Sequence, residues 1–335
     1  VKKRAYISAI SHWVPERILS NADLEKMVDT TDEWIRTRTG IKERRILDAD
    51  KASSDMGAEA VKKLLAQRGI SAEEIDIIIV ATITPDMFFP STGNLIQQKI
   101  GAKKAFSFDI SAACSGFVYA LSIGAQFIEN SRYSKVVVVG VDKMTSITNY
   151  KDRNTCILFG DAAGAVLLEP APDEQTGLLD YILYADGAGV DYLYLKAGGS
   201  KYPASIETVE NEWHYIYQDG KTVFKYAVQG MSDVSAEILE KNGLTGEDVT
   251  LFVPHQANLR IIDAAAKRMG LSPEKVCINI DRYGNTTAAT IPLALSEAFQ
   301  EGRLRKGDIV VLATFGAGFT WASCLVRWGL NPPKK

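Results

Sequence analysis

Apolar and polar positions follow two alternating periods along this chain, and the whole pattern occurs twice. The stretch AVKKLLAQRGISAEEIDIIIVAT from Ala60 reads as a helix, a glycine stop, a short turn and a continuous apolar strand. The stretch VSAEILEKNGLTGEDVTLFVPHQ from Val234 repeats that order. Gly69 matches Gly243, Ile70 matches Leu244, Glu73 matches Glu247 and Ile75 matches Val249, each pair 174 residues apart. Further on, AFSFDI from Ala105 and VCINI from Val276 alternate with period two, which predicts a strand in each. Small-residue turns follow, SAACSG and DRYGNTT, and then two helix-like stretches, FVYALSIGAQFIEN from Phe117 and AATIPLALSEAFQEG from Ala288. A β-branched strand comes next in each copy, KVVVVGV from Lys135 and DIVVLAT from Asp308, and glycine-led strands close both, GDAAGAVLLE and GFTWASCLVRW.

The repeat predicts a duplicated α/β protein with halves spanning 1–174 and 175–335. Apolar strands alternating with helices predict a mostly parallel sheet covered on both faces, and two copies predict two sheets sandwiching shared helices. Ligands in such folds gather at the carboxyl ends of strands. The segment Gly187 to Thr222 is less regular and rich in Tyr, Gly and Asp; it reads as an insertion lying over the site.

Composition narrows the function classes. The chain has 335 residues, 46% hydrophobic and 24% charged, enough apolar material for a large core. A net charge of −3 argues against a general nucleic-acid binder. The start, VKKRAYISAISHWVPERILS, is basic but lacks the apolar core of a secretory leader. No run approaches the roughly 20 apolar residues of a membrane span. Cysteines stand at 114, 156, 277 and 324 without CxxC spacing, so neither a disulfide framework nor a metal site is expected, and a cytoplasmic setting fits.

Position in the repeat singles out three residues. Cys114 lies four residues beyond Ile110, at the start of an apolar helix whose amides favour a thiolate. His255 ends the strand VTLFVPH, and Asn285 lies five residues beyond Ile280. Each also has an ordinary reading. A free cysteine is often a small core residue, a histidine can bridge a turn, and GNTT is a good helix N-cap. Cys156, Cys277 and Cys324 lie in strand-like runs and are read as core.

The motifs SAACSGF, PHQANLRI, GNTTAA and FGAGFTW, with DEWIRTRTGIKERR near the start and GDAAGAVLL at mid-chain, closely resemble those of β-ketoacyl-acyl-carrier-protein synthase III. The resemblance runs in order over almost the whole chain. It implies a thiolase-like fold, a layered α-β-α-β-α sandwich. It implies that an acyl-CoA acylates Cys114, and that malonyl-acyl-carrier protein then loses CO2 and attacks the acyl group. His255 and Asn285 would donate to the enolate oxygen, and the backbone N–H groups of Cys114 and Ala317 would form an oxyanion hole. Many relatives carry glycine at 317. Trp34 and Arg153 match positions that sandwich the CoA adenine, Arg38 a cation near the CoA phosphates, and Phe89 a residue reaching the partner subunit's acyl pocket. Lys225, Arg260, Lys267 and Arg268 would dock the carrier protein; the ordinary reading is a solvated helix face. The resemblance implies no cofactor, the CoA thioester being a substrate. It implies a homodimer, with the Phe106 and Phe108 strand as a candidate sheet edge.

Five rival readings remain, one of them a non-catalytic thiolase-fold binding protein, which the presence of all three of Cys114, His255 and Asn285 argues against. Elongating ketosynthases carry a second histidine where Asn285 stands, and thiolases a second activated cysteine. Chalcone-synthase-like enzymes share the Cys, His, Asn set but are usually longer. A papain-type hydrolase places its cysteine near the mature N-terminus. The acyl primer stays open among acetyl, branched short and medium chains.

Overall fold

The computed structural model describes residues 3–332; the outermost residues of the expected halves, 1–2 and 333–335, lie outside them. The first part of the chain runs β1 (Ala5–Trp13), β2 (Ile18–Ser20), α1 (Asn21–Leu24), α2 (Asp32–Thr39), β3 (Glu43–Arg45), α3 (Ser53–Arg68), β4 (Ile77–Ala81), α4 (Thr92–Ile100), β5 (Phe106–Ile110), α5 (Gly116–Glu129), β6 (Val136–Asp142) and β7 (Ala162–Pro170). The remainder runs β8 (Gly177–Ala185), β9 (Leu193–Leu195), α6 (Ile206–Glu210), β10 (Ile216–Gln218), α7 (Gly220–Lys241), β11 (Leu251–Pro254), α8 (Leu259–Arg268), α9 (Ile280–Tyr283), α10 (Thr290–Gln300), β12 (Ile309–Gly316) and β13 (Thr320–Arg327). Gly69 stops α3 in the left-handed conformation, φ 72°, which glycine adopts without a Cβ penalty.

Two large sheets carry the duplication. The first has the order β1-β7-β6-β4-β5, the second β11-β12-β13-β8, so β4, β6, β7 and β1 correspond to β11, β12, β13 and β8. Burial sorts the layers. On β4, Ile77 and Ile79 join a core with Phe117 and Leu121 of α5, Ile291 and Leu295 of α10, and Val310 and Leu312 of β12. The alternate residues Ile78 and Val80 pack outward with Met56, Val61 and Leu64 of α3 and Ile96 of α4. On the second sheet, Phe252 and Val311 face Met231, Val234 and Ile238 of α7 and Ile262 and Ala265 of α8. The order is therefore helices, sheet, helices, sheet, helices. The central strands are apolar at every position because both faces are covered.

Three sequence expectations change. Neither sheet is mostly parallel: β4 pairs in parallel with β5 and β6, and β11 with β12, but β6–β7, β1–β7, β12–β13 and β13–β8 are antiparallel. No helix crosses over between β12 and β13, and a strand that returns directly must run antiparallel. The expected strand at 276–280 is a single bridge, Val276 to Phe252. The Gln256 side chain accepts from the Asn279 and Ile280 amides, at 3.0 and 3.1 Å, and turns the chain into α9. Cys156 lies in turns rather than in a strand. It is nevertheless buried, as are Cys277 and Cys324. Among the described residues no helix is long and apolar enough to cross a membrane.

Candidate active site

The carboxyl ends of β5, β11 and β12 and the turn after α9 open on one cavity of about 450 Å³ lined by Cys114, His255 and Asn285. Its walls are mostly apolar, including Ile83, Met144, Leu158 and Phe224. Leu193 and Leu195 of β9 and Ile216 and Gln218 of β10 also line it; these two strands pair, so the 187–222 segment does border the site.

Cys114 sits on a single 3-10 turn, Ala113–Ser115, that leads into α5. The preceding Ala113 has φ 46°, a left-handed conformation that costs a non-glycine residue about 1–3 kcal/mol. The surroundings hold it there. Thr314 Oγ1 of β12 donates to the Cys114 carbonyl at 2.9 Å, and Ser115 Oγ to the Thr320 carbonyl at 3.1 Å. Gly316 presses so close that a Cβ there would lie 2.8 Å from the Cys114 amide nitrogen. Ala317 lines the cavity and is not among the residues with positive φ, so alanine fits this loop without backbone strain. Its amide donates no backbone hydrogen bond among the described residues.

The electrostatics reverse one expectation. The helix start was expected to lower the Cys114 thiol pKa. Burial instead pushes it up to about 12, the Asp142 carboxylate adds to the rise, and only its own backbone N–H opposes it. Desolvation of a thiolate outweighs the helix end. Burial also pushes His255 down to about 3, so its imidazole is neutral. Its Nδ1 is buried without a hydrogen-bond partner.

Asn285 is anchored through its backbone: its amide donates to the Leu158 carbonyl at 2.8 Å, and its carbonyl accepts from Gly160 at 3.1 Å. Its side-chain Oδ1 accepts from the Thr287 amide at 2.9 Å. That contact closes a tight Asx-type turn onto Thr287, the first residue of a short 3-10 turn, Thr287–Ala289; neither that turn nor α10 has the side-chain cap that GNTT suggested. Because the oxygen is occupied, the Nδ2 hydrogens are the free polar group of this side chain. Thr287 also has positive φ, 49°, an outlier for a β-branched residue.

The other expected residues divide. Trp34 of α2 lies with the Arg38 and Arg153 guanidinium carbons each 4.7 Å from its ring centroid. Arg153 also donates to the Asp29 carbonyl at 3.0 Å. It rests directly on the indole, so a ring entering between the two must displace it. The Asn258 side chain, at the cavity rim, donates to the Arg38 carbonyl at 2.9 Å and ties α2 to the start of α8. Phe89 is 85% exposed beside Phe88 at 79%, so it is not a core aromatic of this chain. On α8, Ile261, Ile262, Ala265 and Met269 face inward, while Arg260, Lys267 and Arg268, with Lys225 of α7, are exposed. Arg260 stacks on Phe224 at 4.7 Å, next to the cavity; Arg268 instead turns to Asp233, 3.9 Å away.

Sequence reasoning passed over Asp142. It closes the apolar strand VVVVGVD and is fully buried. A lone carboxylate ending such a strand at its carboxyl end was the signal available.

A cysteine, a neutral histidine and an asparagine amide lining one cavity of a duplicated five-layer sandwich are the arrangement of a thiolase-fold condensing enzyme. Family models described as 3-oxoacyl-[acyl-carrier-protein] synthase III and its C-terminal part match residues 108–187 and 239–328. The chain is 57% identical over 326 residues to β-ketoacyl-[acyl-carrier-protein] synthase III of Chlorobium luteolum, covering 97% of this chain and 99% of the relative. It is 54% identical over 327 residues to that of Koribacter versatilis, with 97% and 98% covered. The crystal structure of the Thermus thermophilus synthase III superposes with a TM-score of 0.90 at 46% identity, covering 97% of this chain and 99% of that one. The chain belongs to the β-ketoacyl-[acyl-carrier-protein] synthase III family, acyltransferases of the condensing type that initiate fatty-acid synthesis.

Proposed function

We propose that this enzyme condenses a short acyl-CoA primer with malonyl-acyl-carrier protein through an acyl thioester on Cys114. In the first half-reaction the Cys114 sulfur forms a bond to the acyl carbon, and the thiol proton departs with the CoA thiol. The N–H groups of Cys114 and Ala317 hold the tetrahedral oxyanion. In the second, the malonyl C–CO2 bond breaks and its electrons pass into an enolate, whose oxygen accepts from His255 and Asn285. The enolate carbon then attacks the acyl carbonyl and releases the Cys114 sulfur as a thiolate, which takes a proton from water to restore the thiol, so one hard step becomes two easier ones.

The observation that carries this reading is that His255 and Asn285 line the same cavity as Cys114, where each can act as a donor. A neutral imidazole has one N–H. An unpartnered buried lone pair costs less than an unpartnered N–H, so the proton belongs on Nε2, with bare Nδ1 toward the protein. Decarboxylation removes no proton, so a histidine that is a poor base suits the step.

CoA would enter past Trp34, Arg38 and Arg153 once Arg153 lifts from the indole. The exposed cations Arg260, Lys267 and Lys225 would steer an acidic carrier protein to the mouth, with Arg268 weakened by Asp233. Phe89 would reach a second copy's acyl pocket in a homodimer, a role its exposure supports. The outermost strand β5, with Phe106 41% exposed, would be the joining edge. The halves 1–174 and 175–335 would each supply part of the site, the first the nucleophile, the second His255 and Asn285. The chemistry invokes no cofactor, and the setting would be cytoplasmic. An acyl-CoA panel assayed with malonyl-acyl-carrier protein, reading the mass added to Cys114, tests this. Cys114→Ala should accept no acyl group; acylation persisting in that variant would overturn the assignment.

A further inference from the structure

Asp142 is buried at 0% exposure and has no ion pair among the described residues. Six neutral donors surround its carboxylate. Oδ1 accepts from Thr82 Oγ1 at 3.0 Å, the Ile83 amide at 2.8 Å, the Thr84 amide at 3.1 Å and Thr84 Oγ1 at 2.8 Å. Oδ2 accepts from Thr287 Oγ1 and from the Ala288 amide at 3.2 Å. The first four come from the chain just beyond β4, where Ile83 lines the cavity. The last two come from the 3-10 turn Thr287–Ala289, two residues beyond Asn285. One carboxylate thus joins the two halves of the repeat across 145 residues of sequence.

The partition between the two oxygens matters. Thr287 is kept at φ 49°, a conformation it would leave if free. Its amide is the donor that occupies Asn285 Oδ1, and its hydroxyl is held by Asp142. The orientation of the Asn285 carboxamide therefore depends on Thr287, and the conformation of Thr287 depends on Asp142. We propose that Asp142 is a positioning residue for malonyl decarboxylation: its Oδ2 locks the Thr287–Ala288 turn so that Asn285 presents its N–H to the cavity. This rests on the donor role given to Asn285 above.

Asp142→Asn tests it from one side. Asparagine offers one oxygen, which belongs with the four donors near β4. Its NH2 then faces Thr287 and Ala288. The Thr287 hydroxyl can turn to accept, but the Ala288 N–H meets another N–H and loses its partner. The β4 side is preserved while the Asn285 side loosens. Thr287→Val removes one of the two Oδ2 donors and leaves Asp142 intact.

The experiment measures two half-reactions on each variant, acetyl transfer from acetyl-CoA to Cys114 by mass, and CO2 release from malonyl-acyl-carrier protein. Asn285→Ala is run alongside. Expected for Asp142→Asn is a loss of about 10- to 100-fold in decarboxylation, with acetyl transfer as fast as wild type or faster, because the substitution also removes a charge that holds the Cys114 thiol pKa up. Thr287→Val should lose decarboxylation in the same direction. A merely structural role would slow both half-reactions together, and that outcome overturns the proposal. So does decarboxylation within about twofold of wild type in Asp142→Asn while Asn285→Ala is slow. If Asp142→Asn fails to fold, Thr287→Val decides on the same criteria. A wild-type rate in Asn285→Ala instead refutes the donor role of Asn285, which is a separate failure.

Discussion

Gly316→Ala is the substitution that presses directly on Cys114. A Cβ at 316 would lie 2.8 Å from the Cys114 amide nitrogen, 3.1 Å from its Cβ and 3.3 Å from its Cα. Carbon approaches such atoms at about 3.5 Å or more, so the end of β12 and Cys114 must separate by roughly 0.7 Å. Two of the three atoms are backbone, and no rotamer change relieves the contact. Thr314, two residues back on the same strand, also holds the Cys114 carbonyl. The strand and Cys114 must therefore shift against their own hydrogen bond. Overpacking of this kind costs about 1–3 kcal/mol of stability. A misplacement approaching 1 Å at a reacting atom costs about 10- to 100-fold in rate. The assay is quenched-flow mixing with acetyl-CoA, reading the mass on Cys114, together with a thermal melt. Gly57→Ala is the comparator. Its new Cβ would meet Ile96 Cδ1 at 2.5 Å, the end of a side chain that can turn aside. It should acylate at the wild-type rate. A Gly316→Ala protein that acylates within about twofold of wild type and melts unchanged would refute the reasoning.

Other outcomes follow from the same geometry. His255→Ala and Asn285→Ala should each retain Cys114 acylation but lose about 100- to 1000-fold in malonyl decarboxylation, the usual cost of an oxyanion donor; CO2 release checks this, and an unchanged rate rejects the role. With the Cys114 thiol pushed up to about 12, its alkylation by iodoacetamide in the unliganded enzyme should rise about tenfold per pH unit with no plateau near neutrality, since the thiolate is the reactive form. A plateau near neutral pH would contradict the burial argument. With His255 pushed down to about 3, acidification from about pH 8 to pH 5 should not protonate it, and an NMR titration of its ring carbons should be flat over that range. Charge reversal at Arg260 should raise the Michaelis constant for the carrier protein and spare that for acetyl-CoA; an unchanged constant would leave Arg260 as a solvated cation stacked on Phe224.

The chain itself determined a great deal. Strands and helices are local, and a strand such as Ile77–Ala81 or a helix such as Leu259–Arg268 is legible because its apolar spacing lies within a few turns or pleats. The 174-residue offset between Gly69 and Gly243 made the two sheets legible too. It drew attention to Cys114, His255 and Asn285 because they are polar groups beyond the ends of strands that the repeat predicts. What only the tertiary structure decided depends on groups far apart in sequence. The pairing of β7 with β1 and of β13 with β8, the collapse of 276–280 to one bridge and the stacking of Arg153 on Trp34 are set by packing partners that no local window contains. The direction of the Cys114 shift is the clearest case. Its position before a helix is written in the sequence, but the burial and the Asp142 charge that overrule the helix end come from strands brought beside it by folding. Desolvation depends on everything that surrounds a group, and neighbours along the chain are only a small part of that.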